Sequence, residues 1–257
     1  MGRKLKLLAV VLFYLLNAFL VVVFSTVAGI FTYPLIIAAS LLFIWWLRLD
    51  VPRKGLMEGG LFAAIAMGVV LVILLATGNI ALGPIRDGYS GYLLAGVLVQ
   101  LLVSFGEELG FRATIFQGMF DELGMWPAAI LSAAGFAALH LPSMGLVGLS
   151  DVSDVIALVT IFFAGIVLAM LYRYGGLFNA ISFHFIWNFI EYNLFNMGPL
   201  EGAVAVTRIG PNYMTGGAFG PEASVVAIGV MAVLIVVIWL YYNKLKNPKQ
   251  LRQNISE

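Results

Sequence analysis

The stretch "VSFGEELGFRATIFQG", Val103 to Gly118, decides how the chain is read. It sets two adjacent carboxylates, Glu107 and Glu108, and then Arg112 inside a long apolar run. In a soluble helix three such charges would mark the solvent face. In a membrane helix each costs about 2.5–3.5 kcal/mol to insert, so each is a functional hypothesis by default. The rest of the chain chooses between the two.

Of 257 residues, 62% are hydrophobic and 11% are charged, with a mean hydropathy of +1.02. So few charges cannot cover the surface of a soluble domain. Apolar runs long enough to cross a bilayer recur along the sequence. The expected fold class is therefore all-α, a polytopic integral membrane helix bundle of about eight transmembrane helices. The spans read as 7–25, 30–47, 59–77, 91–118, 127–149, 155–172, 177–196 and 223–242. Turn or charge signals separate them: Thr32-Tyr33-Pro34, Arg48 to Lys54, Gly83-Pro84 through Gly91, Asp121-Glu122, Asp151 to Asp154, Arg173 to Gly176, and the Gly-rich segment 197–222. The first span follows Arg3, Lys4 and Lys6 as a signal peptide would. Its apolar run is too long for that, and no small-residue cleavage site follows, so it reads as a retained helix. The chain divides into residues 1–90 with three spans, a core at 91–196, and 197–257 with an outer loop, the last span and a basic tail, all in one membrane domain.

Charge and cysteine content exclude several functions. A net charge of +1 argues against a nucleic-acid partner, and with no cysteine there is neither a disulfide nor a thiolate metal site. Lys and Arg in the loops set orientation. With a cytoplasmic N-terminus, inside segments hold Arg3, Lys4, Lys6, Arg48, Arg53, Lys54, Arg173, Lys244, Lys246, Lys249 and Arg252, and outside loops hold Arg86 and Arg208. That is eleven against two, and an even number of spans places both termini in the cytoplasm. The expected location is the cell membrane of a prokaryote or an endomembrane.

Within the spans the ionisable residues are Glu107, Glu108, Arg112, His140, His184 and Glu191, joined by the neutral Asn188. A lone buried histidine is most often a hydrogen-bonded core residue. Two histidines, an acidic pair and an asparagine in neighbouring helices point to a site. Gln100, Ser104, Glu108 and Arg112 recur at i, i+4 and form one stripe, on which Glu108 can pair with Arg112. Glu107 is rotated by about 140° from Arg112 and points elsewhere. His184 and Asn188 share a face, and Phe136 sits one turn before His140. Counted from the helix ends, Glu107, His140 and His184 can meet in one cavity open to the cytoplasm.

A carboxylate and two imidazoles in a partly dry cavity suit activation of water. The carboxylate takes the proton, a histidine positions the water, and an Asn amide donates to a developing oxyanion. Glu107, His140 and His184 are also zinc-type donors, close to the minimum set for a divalent ion, and a metal stays open as an alternative. No H-E-x-x-H occurs, and no serine sits in a nucleophile elbow.

Three motifs then carry a resemblance. "EELGFR", Glu107 to Arg112, fits E-E-x-x-x-R; "FAALH", Phe136 to His140, fits F-x-x-x-H; "HFIWN", His184 to Asn188, fits H-x-x-x-N. In this order they resemble the CPBP family of intramembrane proteases, which includes type II CAAX prenyl endopeptidases and the Abi proteins. The resemblance covers about residues 90–195. It implies a glutamate-dependent peptidase with Glu107 as base, with His140, His184 and Asn188 in the site, and with Glu108, Arg112 and Phe136 supporting it. It implies a peptide or lipidated protein as substrate beside the membrane lipid, with CAAX-type processing of prenylated proteins as one form. Oligomeric state is not indicated. Two rival readings stand beside it. One is a non-catalytic binding or immunity protein of the same family. The other is a proton-coupled transporter, against which no internal repeat or matched pair of broken helices appears.

Overall fold

The computed structural model of the chain describes residues 2–55, 57–144, 152–198 and 202–246. The end of the fifth expected span, 145–149, and the last basic positions of the expected tail, Lys249 and Arg252, lie outside the described residues. Among the described residues eight helices of twelve or more residues follow one another: α1 (Arg3–Phe24), α2 (Thr26–Leu47), α3 (Glu58–Ala76), α4 (Tyr89–Leu123), α5 (Met125–Leu139), α6 (Val152–Gly175), α7 (Leu177–Asn188, prolonged by the π-helical turn Phe189–Leu194) and α8 (Val225–Asn243). The chain is an all-α integral membrane bundle. Among the described residues six of these helices are long and apolar enough to cross a membrane. The other two are α5 and α7. At 15 residues α5 is about 22 Å long at 1.5 Å per residue, short of the roughly 30 Å hydrocarbon core. In α7 the polar His184, Asn188 and Glu191 dilute the apolar run. The two histidines thus belong to the two helices least suited to lipid.

Large apolar side chains cover the outside of the bundle. Leu12, Trp45, Ile65, Leu94, Leu98 and Val233 are all exposed. Water would make that face an aggregation surface, whereas lipid makes it the favourable one. Because lipid removes the hydrophobic drive between helices, close backbone approach holds them together. A methyl group on Gly165 of α6 would stand 2.7 Å from the Ala133 Cβ of α5. Between α3 and α7, the Gly59 N–H donates to Asn179 Oδ1 and the Gly60 N–H to Ser182 Oγ, each at 3.1 Å.

Contacts between helix ends show which loops share a side. The Leu177 N–H donates to the Pro52 carbonyl at 2.8 Å and joins the loops that follow α2 and α6. Lys6 pairs with Asp121 and ties the start of α1 to the end of α4. The loops after α3 and α7 meet in an antiparallel ribbon, β1 (Ile80–Ile85) with β2 (Val204–Arg208), whose register pairs Ile80 with Arg208, Leu82 with Val206 and, past a bulge, Ile85 with Val204. Each contact joins ends that eight alternating crossings put on the same side. The ribbon itself was not readable from the sequence, which marked both segments only as breaks.

Candidate active site

The site begins with an irregularity in α4. Its α-helical part, Tyr89–Glu108, ends at the acidic pair, and Leu109–Phe116 continues as π-helix, with Thr114 Oγ1 donating to the Leu109 carbonyl at 2.9 Å. Single π turns inside helices recur at functional sites, because the widened turn re-aims the side chains around it. Arg112, the second charge type in this stretch, is buried with its Nε 3.2 Å from Glu108 Oε2. Its guanidinium also lies over the Phe136 ring, 4.4 Å from the centroid, where a desolvated cation is attracted by the ring face. Phe136 packs edge-on to the His140 ring at 4.8 Å and the His184 ring at 6.3 Å. One phenylalanine therefore links the arginine to both imidazoles.

The two carboxylates face different partners. Glu108 is fully buried and divides its oxygens: Oε2 toward Arg112, and Oε1 accepting from His184 Nδ1–H at 2.8 Å. That bond places the imidazole proton on Nδ1 and turns Nε2 toward Glu107, whose Oε2 is 3.8 Å away. This gap is too wide for a direct hydrogen bond and fits a shared water. Glu107 Oε1 accepts from the Tyr33 hydroxyl at 3.1 Å. Tyr33 can come so close because residue 106 is glycine, where a Cβ would stand 2.7 Å from the tyrosine ring. The expected i, i+4 pair of Glu108 and Arg112 is thus present, and Glu108 has a second task that spacing did not suggest: it orients His184.

His140, at the end of α5, directs Nδ1 to the Phe136 carbonyl at 2.9 Å. Asn188 donates to Gln100 Oε1 at 3.3 Å, and Gln100 in turn donates to Asn193 Oδ1 at 3.1 Å, so the amide is held from α4. Glu107, His140, His184 and Asn188 line one cavity of about 610 Å³, together with Tyr33, Asp154, Trp187, Tyr192 and the apolar Val99, Val103, Ile161, Leu168 and Phe219. Its wall is mainly apolar with a few convergent polar groups, the usual make-up of a ligand site. Among the described residues no three His, Asp or Glu side chains gather closely enough to hold a metal ion, so Glu107, His140 and His184 do not fit a metal centre in this arrangement.

Among the cavity residues that the sequence does not single out are Tyr33 and Glu222. Tyr33 lies in the turn signal Thr32-Tyr33-Pro34 that marks the start of the second span. Glu222 lay in the Gly-rich segment before the last span. The structure explains how a loop residue enters the bundle: Ser224 caps α8, its Oγ accepting from the Ala227 N–H at 3.1 Å, and the short turn Pro221–Ala223 just ahead of the cap turns Glu222 into the cavity. Burial pushes the Glu222 carboxyl above the usual carboxylate range, while His140, His184 and the Trp187 N–H pull the other way. Proximity in space, not in sequence, is the only signal that could have found it.

Comparison with known proteins follows the same region. Residues 89–190 match the family model described as type II CAAX prenyl endopeptidase Rce1-like, over the stretch that holds all three motifs. No curated protein matches the chain. The resemblance to this family is therefore borne out for α4 to α7. It supports a CAAX-type intramembrane endopeptidase in general, a hydrolase embedded in the membrane, with a lipidated protein or peptide as the general class of substrate.

Proposed function

From the match of residues 89–190 and the cavity that the same residues line, we propose that this chain hydrolyses a peptide bond at membrane depth, by water activated between Glu107 and His184. One observation carries the reading: Glu107 Oε2 and His184 Nε2 face each other across 3.8 Å, each fixed from behind, one by Tyr33 and the other by Glu108. A water in that gap gives a proton to Glu107 while its oxygen bonds to the scissile carbonyl carbon. Asn188, held by Gln100, donates its second amide hydrogen to the oxyanion that develops there, and His140 lines the same cavity with its Nδ1–H committed to the Phe136 carbonyl. Collapse breaks the C–N bond, and the leaving amine takes up a proton. The apolar part of the wall, Val99, Val103, Ile161 and Leu168, suits a lipid chain carried by the substrate, and C-terminal processing of a prenylated protein is the form we propose. These steps use the chain's own side chains, and a metal held by Glu107, His140 and His184 is the alternative that a chelator tests.

The test is cleavage of a farnesylated peptide by purified protein in lipid, wild type against Glu107→Gln. Cleavage by the wild type and its loss in the variant are expected. A wild type that binds the peptide and leaves it whole would favour the non-catalytic binding role. Chelator is expected to leave the rate largely unchanged, and a full loss restored by zinc would bring back the metal alternative.

A further inference from the structure

One pair of buried groups has no part in the reaction just described. Glu191 on α7 is fully buried, and neither of its carboxyl oxygens has a hydrogen-bond partner among the described residues. The buried indole N–H of Trp187, one turn earlier and lining the cavity, faces both Glu191 and Glu222 without a close hydrogen bond to either. Facing them is the loop before α8. Gly220 lies against Glu191 Oε1, where any Cβ would collide with the carboxylate, and Glu222 follows two residues later, half-buried in the cavity wall. The two carboxyls are close enough for the charge of one to act on the other. Two carboxylates that share a dry site do not both ionise, so such a pair keeps a proton.

We propose that Glu191, buried behind the cavity, and Glu222, in its wall, hold one proton between them, and that Glu222 passes it to the amine that leaves on peptide cleavage. The delivery step rests on the peptidase reading above; the shared proton does not. Groups from every surrounding element bear on the pair: Glu107 of α4, His140 of α5, His184 and Trp187 of α7, and Arg208 of β2 on the Glu191 side, with Asp154 of α6 in the same cavity. Atoms balance as follows. Water gives one proton to Glu107 and its oxygen to the carbonyl carbon. The C–N electron pair stays on nitrogen, which takes the proton from Glu222. The proton on Glu107 then returns through cavity water to the Glu191–Glu222 pair, which is ready for the next turnover. Base and acid thus stand on different elements, and the acid is delivered by a loop that lies outside the matched region.

Two measurements on the whole chain in lipid nanodiscs decide this. Infrared spectroscopy at neutral pH is expected to show a protonated carboxyl stretch that disappears in the Glu191→Gln, Glu222→Gln double variant. Kinetics then compare an amide with an activated ester of the same acyl part, whose leaving group departs without a proton. Glu222→Gln is expected to lower kcat on the amide about 100-fold more than on the ester, the lower end of what a positioned acid contributes. The ester rate also reports that the variant is folded. Absence of the stretch in the wild type, or an equal loss on both substrates, overturns the proposal. A wild type that turns over neither substrate fails the peptidase reading and removes the delivery step with it, and the infrared band then decides the shared proton alone.

Discussion

At the scale of single residues, two neighbouring glutamates divide into a base and a support because a helix cannot aim adjacent side chains the same way. Glu107→Gln keeps the shape and removes the basicity. It is expected to lower kcat by between about 10²- and 10⁴-fold, with thermal stability and peptide binding retained. Glu108→Gln weakens the pairing with Arg112 and loosens His184 together. Lower stability and a partial loss of activity are expected, read by thermal denaturation and by kcat on one preparation. Arg112→Leu strands a buried carboxylate, and breaking such a pair costs about 3–5 kcal/mol, visible as lost folding in detergent. Should Glu107→Gln stay active while Glu108→Gln is stable and dead, the assignment is reversed. The sequence carried this division, because i, i+4 spacing identifies the partner of Arg112 without a structure. It did not carry Tyr33, whose bond to Glu107 spans 74 positions and depends on a glycine at 106 to admit the ring. Tyr33→Phe is expected to lower kcat by roughly fivefold, in line with about 1 kcal/mol for a lost hydrogen bond, and to leave the fold intact.

At the scale of elements, long apolar helices were the legible part and loops were not. Hydropathy located α1 to α4, α6 and α8, since each must satisfy its backbone internally while facing lipid. Periodicity also placed the three motifs on α4, α5 and α7. The π turn at Leu109–Phe116 left no mark in the sequence, and neither did the β1–β2 ribbon, whose strands are separated by four helices. The loop before α8 was least legible, since nothing local in "GGAFGPEAS" (Gly216–Ser224) says that it folds inward. Gly220 is a sharp probe of that loop: its φ of +114° and the carboxylate beside it leave no room for a side chain, so Gly220→Ala is expected to destabilise the protein by about 1–3 kcal/mol. Glu222 gives the loop a pH signature. Its folded carboxyl titrates above the ordinary 4.5, so between that pH and the raised value the folded state binds the extra proton. Its contribution to stability is therefore fully present below about 4.5 and is lost as pH rises through the folded value. Thermal denaturation across that window should show wild type losing stability with rising pH, and Glu222→Gln should flatten that slope.

At the scale of the whole molecule, the orientation with a cytoplasmic N-terminus is a proposal, and charge and geometry bear on it from different directions. Lys and Arg divide eleven to two in favour of the side that holds the N-terminus. The end-to-end contacts add the pairing of loops independently of charge. The β1–β2 ribbon fixes the loops after α3 and α7 together, Lys6 with Asp121 fixes the start of α1 to the end of α4, and Pro52 with Leu177 fixes the loops after α2 and α6. Those pairings hold for eight alternating crossings. They also make the outcome testable with few probes, because one sided residue reports for its whole group. The chain has no cysteine, so any introduced one is unique. Arg53→Cys and Ile209→Cys both occupy exposed positions, one in the loop after α2 and the other just beyond β2. In intact cells a membrane-impermeant thiol reagent is expected to label residue 209 and to reach residue 53 only after the membrane is opened. Labelling of both in intact cells, or of residue 53 alone, would remove the cytoplasmic N-terminus. Tyr33 at the start of α2, Asp154 at the start of α6 and Phe219 and Glu222 before α8 line the cavity at ends that eight crossings put opposite the N-terminus, which runs against a cavity open to the cytoplasm, so the same two probes also report the side from which the cavity is reached.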